Sequence, residues 1–458
     1  MKKILIRGRT PLFNNPGYEE FIHKDLPWAS IGHLLFSNST MKTTMTSVED
    51  EFINIYPGLI SKNLDNEKFI DKINAECKYF LINFSVLFAK NSTNMKMYLP
   101  FIKKLKIPCI VIGCSFEGEV DPKFKEEKYS FDDLAREFCE AILEKSASIG
   151  VRGEITYDYL TKHLGLPKEC VDITGCPSLY FWGEQLPQFK SREFDDEDFT
   201  MSFSFNYHTS YSAQKNVCDF FNNYVSTMTN KNYYYIPQQT CELRLMYWGH
   251  SDKKFNKIPN FPSDFSHRFY QDKRVISFID IYSWFNFLKE NVDFAFGSRI
   301  HGTIAPILSG VPAMVIKVDS RVRELSEKHG IPSISVSDLE RHPDLSEVER
   351  VRLFYETADF SKVHTKHKEN FAEWLAFLRK NEIENIYDNQ NTMPLPYDVR
   401  RRSVEVAPPL IPLNAVSSGE LSARLNSYYE FLEKKKQAGL KNKQQLIAKQ
   451  IQSVLRKF

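Results

Sequence analysis

Short apolar runs recur along this chain between longer segments of helical period, and most of them are continuous rather than alternating. Strands of a parallel sheet covered on both faces require that pattern, because neither face meets water. The runs fall at 3–7, 79–84, 109–113, 148–151 and 171–174, then at 201–205, 233–236, 275–278, 292–296 and 313–316. Helical period lies between them, at 155–163, 212–228, 281–289 and 301–309 among others. The predicted class is α/β: two Rossmann-like domains facing a cleft, with ligands beyond the carboxyl ends of the strands.

The 458 residues suit two or three domains. An N-terminal Rossmann-like domain is expected at 1–185, a charged linker at 186–199 and a C-terminal Rossmann-like domain with trailing helices at 200–390. The linker falls in a polar stretch of little periodicity around Asp195-Asp196-Glu197-Asp198, where consecutive acids point in different directions and read as a solvated connection. Residues 391–458 begin with a segment rich in proline (Pro394, Pro396, Pro408, Pro409, Pro412), expected to be extended and not helical. Beyond it Leu440, Ile447, Ile451, Val454 and Phe458 share one stripe of a basic amphipathic helix.

Charge narrows the partners. Sixty basic against 58 acidic side chains leave +2, too balanced for a nucleic-acid binder as a whole. Residues 401–458 hold eleven Lys and Arg against four Glu, so the basic character is concentrated in the tail. The eight cysteines contain no C-x-x-C pair and read as buried free thiols of a reducing compartment. The apolar run after Met1 ends too soon for an export signal and no window is long and apolar enough to span a bilayer, so the expected location is cytoplasmic.

The sharpest segment is Gly297-Ser298-Arg299-Ile300-His301-Gly302-Thr303, between an apolar strand and an apolar helix. Gly297 permits a tight turn, Ser298 is the expected N-cap, and the first N–H groups of a helix there would favour an anion. Arg299 adds a planar fork suited to carboxylate or phosphate, and His301 can exchange a proton near neutral pH. Ser148-Ile149-Gly150-Val151-Arg152-Gly153-Glu154 repeats the theme at a strand end of the first domain. A small multivalent anion held between Arg152 and Arg299 would draw charge from both sides of the cleft.

With Val171-Asp172-Ile173-Thr174-Gly175-Cys176-Pro177-Ser178, Gly310-Val311-Pro312-Ala313 and Asp319-Ser320-Arg321-Val322-Arg323-Glu324-Leu325, these motifs resemble the polysaccharide pyruvyl transferase family in order and spacing. The resemblance is good over 145–180 and 290–335, weaker in the N-terminal domain and absent from the tail. It implies a glycosyltransferase-B-like enzyme that transfers the pyruvyl group of phosphoenolpyruvate to a sugar of a capsular or exopolysaccharide, or of its lipid-linked precursor. A pyruvate ketal forms and phosphate leaves. The N-terminal domain would then be the acceptor side and the C-terminal domain would carry the donor signature. The catalytic positions carried over are His301, Arg299 and Arg152; the substrate-binding set adds Ser298, Ile300 and Gly302. The chemistry needs no cofactor and no metal. Expected partners are phosphoenolpyruvate and a glycan or lipid-linked saccharide, with a peripheral membrane or homo-oligomer contact through the C-terminal helix and no nucleic acid.

Two alternatives remain at this level: a glycosyltransferase of the same architecture using a nucleotide sugar, and a non-catalytic scaffold of polysaccharide assembly. No convincing acidic motif for a ribose supports the first, and the trio of Arg152, Arg299 and His301 argues against the second. His33, in Ser30-Ile31-Gly32-His33-Leu34-Leu35, reads as structural. The aromatic groups Tyr180-Phe181-Trp182, Phe205-Asn206-Tyr207-His208 and Tyr247-Trp248 read as core.

Overall fold

The computed structural model describes residues 2–9, 11, 13–26, 30–124, 128–195, 197–205, 211–228, 230–252, 258–388 and 393–455, with the backbone alone for 211, 212, 214, 435 and 438–455. Its first sheet holds β1 (Lys3–Arg7), β2 (Glu51–Ile55), β3 (Cys77–Asn83) and β4 (Cys109–Ile112), in the order β2-β1-β3-β4 with every pair parallel. Ile4 and Ile6 enter one core layer and Leu5 the other, all fully buried, so helices cover both faces. That is why the run is continuous. A parallel pair, β5 (Ile149–Val151) and β6 (Val171–Ile173), extends this sheet through a bridge between Cys114 and Val151.

The second sheet contains β7 (Met201–Phe203), β8 (Tyr233–Tyr235), β9 (Phe294–Gly297), β10 (Ala313–Lys317) and β11 (Ser333–Ser335), in the order β11-β10-β9-β7-β8, again all parallel. The chain winds outward from β7 to β8 and then returns to place β9 on β7's other side. The crevice between β7 and β9 is therefore a topological switch point, where sheets of this kind receive ligands. The two Rossmann-like halves face one another across a cleft, with a helical C-terminal region beyond them.

Three expectations are corrected. Residues 275–278 form no strand: Val275 bridges Tyr235 and Ser277 bridges Leu410, without a continuous ladder. Leu410 lies in the segment of Pro408, Pro409 and Pro412, which cannot donate and so cannot extend a ladder. The proline-rich connection is not wholly extended, since Pro396–Arg401 is a helix with proline in its first turn, where the missing N–H costs nothing. Nor is 186–199 a solvated stretch throughout. Leu186 and Phe199 are buried, the Lys190 N–H donates to the Gly310 carbonyl at 2.8 Å, and Arg192 pairs with Asp198 and Asp293. Asp196 lies outside the described residues.

The trailing helix Ser361–Lys380 leaves the second half and docks on the first. Phe377 packs on Gly150, Lys380 pairs with Asp172 at 3.0 Å, and Asn381 accepts from the Ser148 N–H at 3.2 Å. The last helix, Ser418–Leu455, lies against Thr240–Trp248: Phe431 stacks on Trp248 and Trp248 Nε1 donates to Ser427 at 2.8 Å. The side chains of the expected stripe from Leu440 to Phe458 lie outside the described residues. No helix among the described residues is long and apolar enough to cross a membrane.

Candidate active site

The first turn of the helix His301–Leu308 meets the first turn of Gly32–Thr44 head to head, one from each half of the molecule. The fit is tight. A Cβ on Gly32 would lie 2.6 Å from His301 Nδ1, so only glycine lets the imidazole rest there. Gly297 similarly allows β9 to close on the chain leaving β7: a Cβ would sit 2.3 Å from the Ser204 carbonyl oxygen. At this junction opens a cavity of about 250 Å³ whose wall includes Arg152, Ser298, Arg299, Ile300 and His301.

The cleft thus brings together residues about 150 positions apart in sequence. Arg152 emerges just after β5, buried, with Nε donating to the Gly113 carbonyl at 2.8 Å. Its Nη2 is buried without a hydrogen-bond partner, and Arg152 has no ion pair among the described residues. Nearby Glu324, which accepts from the Thr156 N–H and hydroxyl, is pushed up to about 8, chiefly by burial. Burial thus favours the uncharged form of Glu324, the carboxyl whose charge acts on Arg152.

Arg299 is held differently. Its Nε donates to the Phe205 carbonyl at 2.9 Å and its Nη2 reaches Glu242 at 3.2 Å. Glu242 is the brace of this wall, because it also accepts from the N–H groups of Gln238 and Gln239 at 3.2 and 2.9 Å. The Gln238 carbonyl then accepts from the Ile31 N–H at 2.8 Å, which pins the loop carrying Gly32 and His33 to the opposite half.

Ser298 does not cap the helix. The helix begins at His301 with Ile300 as its N-cap, while the Ser298 N–H donates to Ser204 at 3.0 Å. Its hydroxyl is buried in the cavity wall without a partner, a second orphaned donor beside Arg152 Nη2. Buried polar atoms left unpaired are costly, and two on one small cavity mark a place for a polar ligand. Gly302 does not line the cavity; a Cβ there would lie 2.2 Å from Ser204 Oγ and 2.7 Å from Gln238 Nε2, so glycine is required by packing.

His301 is almost fully buried, with Nε2 at 3.5 Å from Ser178 Oγ and 3.9 Å from Cys176 Sγ. Burial, then the charges of Arg152, His33 and Arg299, hold its pKa well below the usual histidine value. At neutral pH the ring is uncharged and ready to accept a proton.

Sequence reasoning missed several wall residues. His33, read as structural, lines the cavity, as do Gln238, Asp319 and Arg321. Arg321 follows β10 just as Arg299 follows β9, a positional signal available in the sequence. Glu242 and Gln238 carried none, because Glu242 acts through Arg299, distant in sequence, and Gln238 through Ile31 of the other half. Of the aromatic groups, Tyr180, Phe181, Phe205 and Trp248 are core, Trp182 is half-exposed, and Asn206, Tyr207 and His208 lie outside the described residues. Among the described residues no group of three or more His, Cys, Asp or Glu could hold a metal ion.

Two facing Rossmann-like halves with a ligand cavity where they meet define the glycosyltransferase-B-like class of architecture. Within that class the chain belongs to the polysaccharide pyruvyl transferase family, whose family model matches residues 41–320. It is accordingly a transferase of polysaccharide modification. No curated protein sequence matches the chain. Among solved structures it is similar to S. aureus MnaA in a co-structure with UDP, at 13% identity and TM-score 0.41 over 83% of this chain and 94% of that one. The UDP-GlcNAc 2-epimerase of Methanocaldococcus jannaschii is similar at 13% identity and TM-score 0.38, over 78% and 92%. The N-terminal domain of the Candida albicans trehalose-6-phosphate phosphatase gives 9% identity and TM-score 0.42, over 84% and 96%.

Proposed function

We propose that the protein transfers the pyruvyl group of phosphoenolpyruvate to a sugar of a capsular or exopolysaccharide, or of its lipid-linked precursor, forming a pyruvate ketal and releasing phosphate. The carrying observation is the meeting of Arg152, Arg299 and His301 on one cavity, with Arg152 Nη2 and Ser298 Oγ lacking partners. The donor presents a carboxylate and a phosphate on one enol carbon. Two guanidinium groups and a hydroxyl donor match that pair of anions, and a buried cavity strengthens each contact.

Addition of a sugar hydroxyl to the enol carbon requires a base for the hydroxyl proton. A neutral His301 fills that role, since its pKa is depressed by burial and by the flanking arginines. As the oxygen bonds to the enol carbon, the double-bond pair takes a proton at the methylene carbon. A second hydroxyl then displaces phosphate and closes the ketal.

The test is incubation with phosphoenolpyruvate and a panel of lipid-linked or nitrophenyl glycosides, followed by mass analysis. A pyruvate ketal on the glycoside with stoichiometric phosphate supports the reading; transfer of a hexose from a nucleotide sugar overturns it. His301→Ala should bind the donor almost as well as wild type while losing about 10²- to 10⁴-fold in kcat. Wild-type turnover in that variant refutes the assignment of His301.

A further inference from the structure

We propose that His33 is a second proton-transfer residue of this site, giving a proton to the methylene carbon of the enol donor while His301 takes one from the acceptor hydroxyl. The inference rests on the function proposed above. Addition across the enol bond moves protons at two separate atoms: one leaves the attacking oxygen and another arrives at the carbon two bonds away. A single imidazole would have to serve both at once.

The structure supplies two. His33 and His301 line the same cavity from opposite halves of the molecule. The residue preceding His33, Gly32, lies directly against the His301 ring, and His33 is among the charges that depress His301. His33 sits in the first turn of a 13-residue helix with Nε2 at 3.3 Å from the Ser85 hydroxyl, and the Ser85 carbonyl accepts from Ser115 Oγ at 2.5 Å. The Ile31 contact with Gln238 fixes the start of that helix against the second half.

Burial divides the roles. His301 is enclosed between Arg152 and Arg299, which favours the neutral ring and makes it the base. His33 is only half-buried, so water can recharge it. The charged groups sharing the cavity wall are Arg152, Arg299, Arg321 and Asp319, and Asp319 is paired with Arg321 at 2.6 Å. A bound carboxylate and phosphate would offset the positive charge of the arginines that share this wall with His33.

The protons balance over the full reaction. In the addition His301 gains a proton from the first hydroxyl and His33 loses one to carbon. In ring closure His33 takes the proton of the second hydroxyl, while protonated His301 gives its proton to the departing phosphate. Both imidazoles return to their starting states, and no oxidant or reductant enters.

The experiment follows kcat against pH for wild type, His33→Gln and His33→Ala, with donor binding and melting temperature measured alongside. A base that must be neutral makes kcat fall on the acid side, and an acid that must be charged makes it fall on the alkaline side. Wild type should show both limbs. His33→Gln should keep donor affinity within about 3-fold, lose about 10²- to 10⁴-fold in kcat and lose the alkaline limb while the acid limb remains. Added imidazole should restore part of the rate of His33→Ala. Wild-type turnover in His33→Gln, or a slowed variant retaining both limbs, overturns the proposal. If neither variant folds, the wild-type profile decides: the acid limb alone overturns it. Absence of any pyruvyl transfer by wild type defeats the proposed function itself, a different result from an active enzyme indifferent to His33.

Discussion

Substituting Gly32 by alanine moves the His301 ring by a distance set by the structure. The new Cβ would stand 2.6 Å from Nδ1 and 2.7 Å from Cγ, against the 3.4 Å at which ordinary contact begins, a deficit of about 0.8 Å. Gly32 is the first residue of its helix, and alanine improves helix propensity there by up to about 1 kcal/mol, so the fold loses little. The ring must yield instead. A displacement near 1 Å of a reacting group costs on the order of 10²-fold in rate, or about 2.7 kcal/mol of barrier. Gly32→Ala should therefore lower kcat about 10²-fold, leave the melting temperature within a few degrees, and bind phosphoenolpyruvate almost as wild type does. Steady-state kinetics of pyruvyl transfer, calorimetric donor binding and a thermal melt on one preparation decide the matter. A variant that melts like wild type and keeps kcat within about 3-fold would refute the claim that this contact sets the position of the imidazole.

Glu242→Gln should destabilise the protein by about 3–5 kcal/mol, because it leaves Arg299 buried without its counter-charge, and phosphoenolpyruvate should raise its melting temperature more than that of wild type. An equal shift in both proteins would mean that Arg299 does not meet the donor. Glu324, raised from 4.5 to about 8 by burial, makes stability depend on pH. Its native form holds a proton that the unfolded chain releases near pH 4.5, so its contribution is complete below that value, falls as pH rises and is gone above about pH 8. Denaturation of Glu324→Gln across this window should show a shallower decline than wild type; identical slopes would count against a neutral Glu324.

The fold was legible wherever burial on both faces produced a continuous run, as at Ile4, Leu5 and Ile6. β2, whose residues alternate between exposed and buried at the edge of its sheet, and the short, half-exposed β11 have no such run and went unread. Residues 275–278 have the apolar character of a strand, but their neighbour on one side is a proline segment. Local sequence cannot report that. The site divides the same way. Arg152, Arg299 and His301 sit at strand-to-helix switches, which local pattern marks. Glu242 meets Arg299 from 57 positions away, and Gln238 and His33 face the cavity where the halves meet; such contacts have no signature in spacing.

The seam between the halves is closed by paired buried groups. Gly118 and Ser320 exchange hydrogen bonds, Glu324 meets Thr156, His329 accepts from the Cys176 N–H, and Asn381 meets Ser148. Prising the halves apart would strand each of these polar atoms, at roughly 1–3 kcal/mol apiece. An enzyme so stitched does not swallow its glycan by gaping. In the reaction proposed above, the glycan acceptor would have to bring its reacting sugar to the mouth of the existing cavity, because parting the halves to admit it would break every one of these pairs.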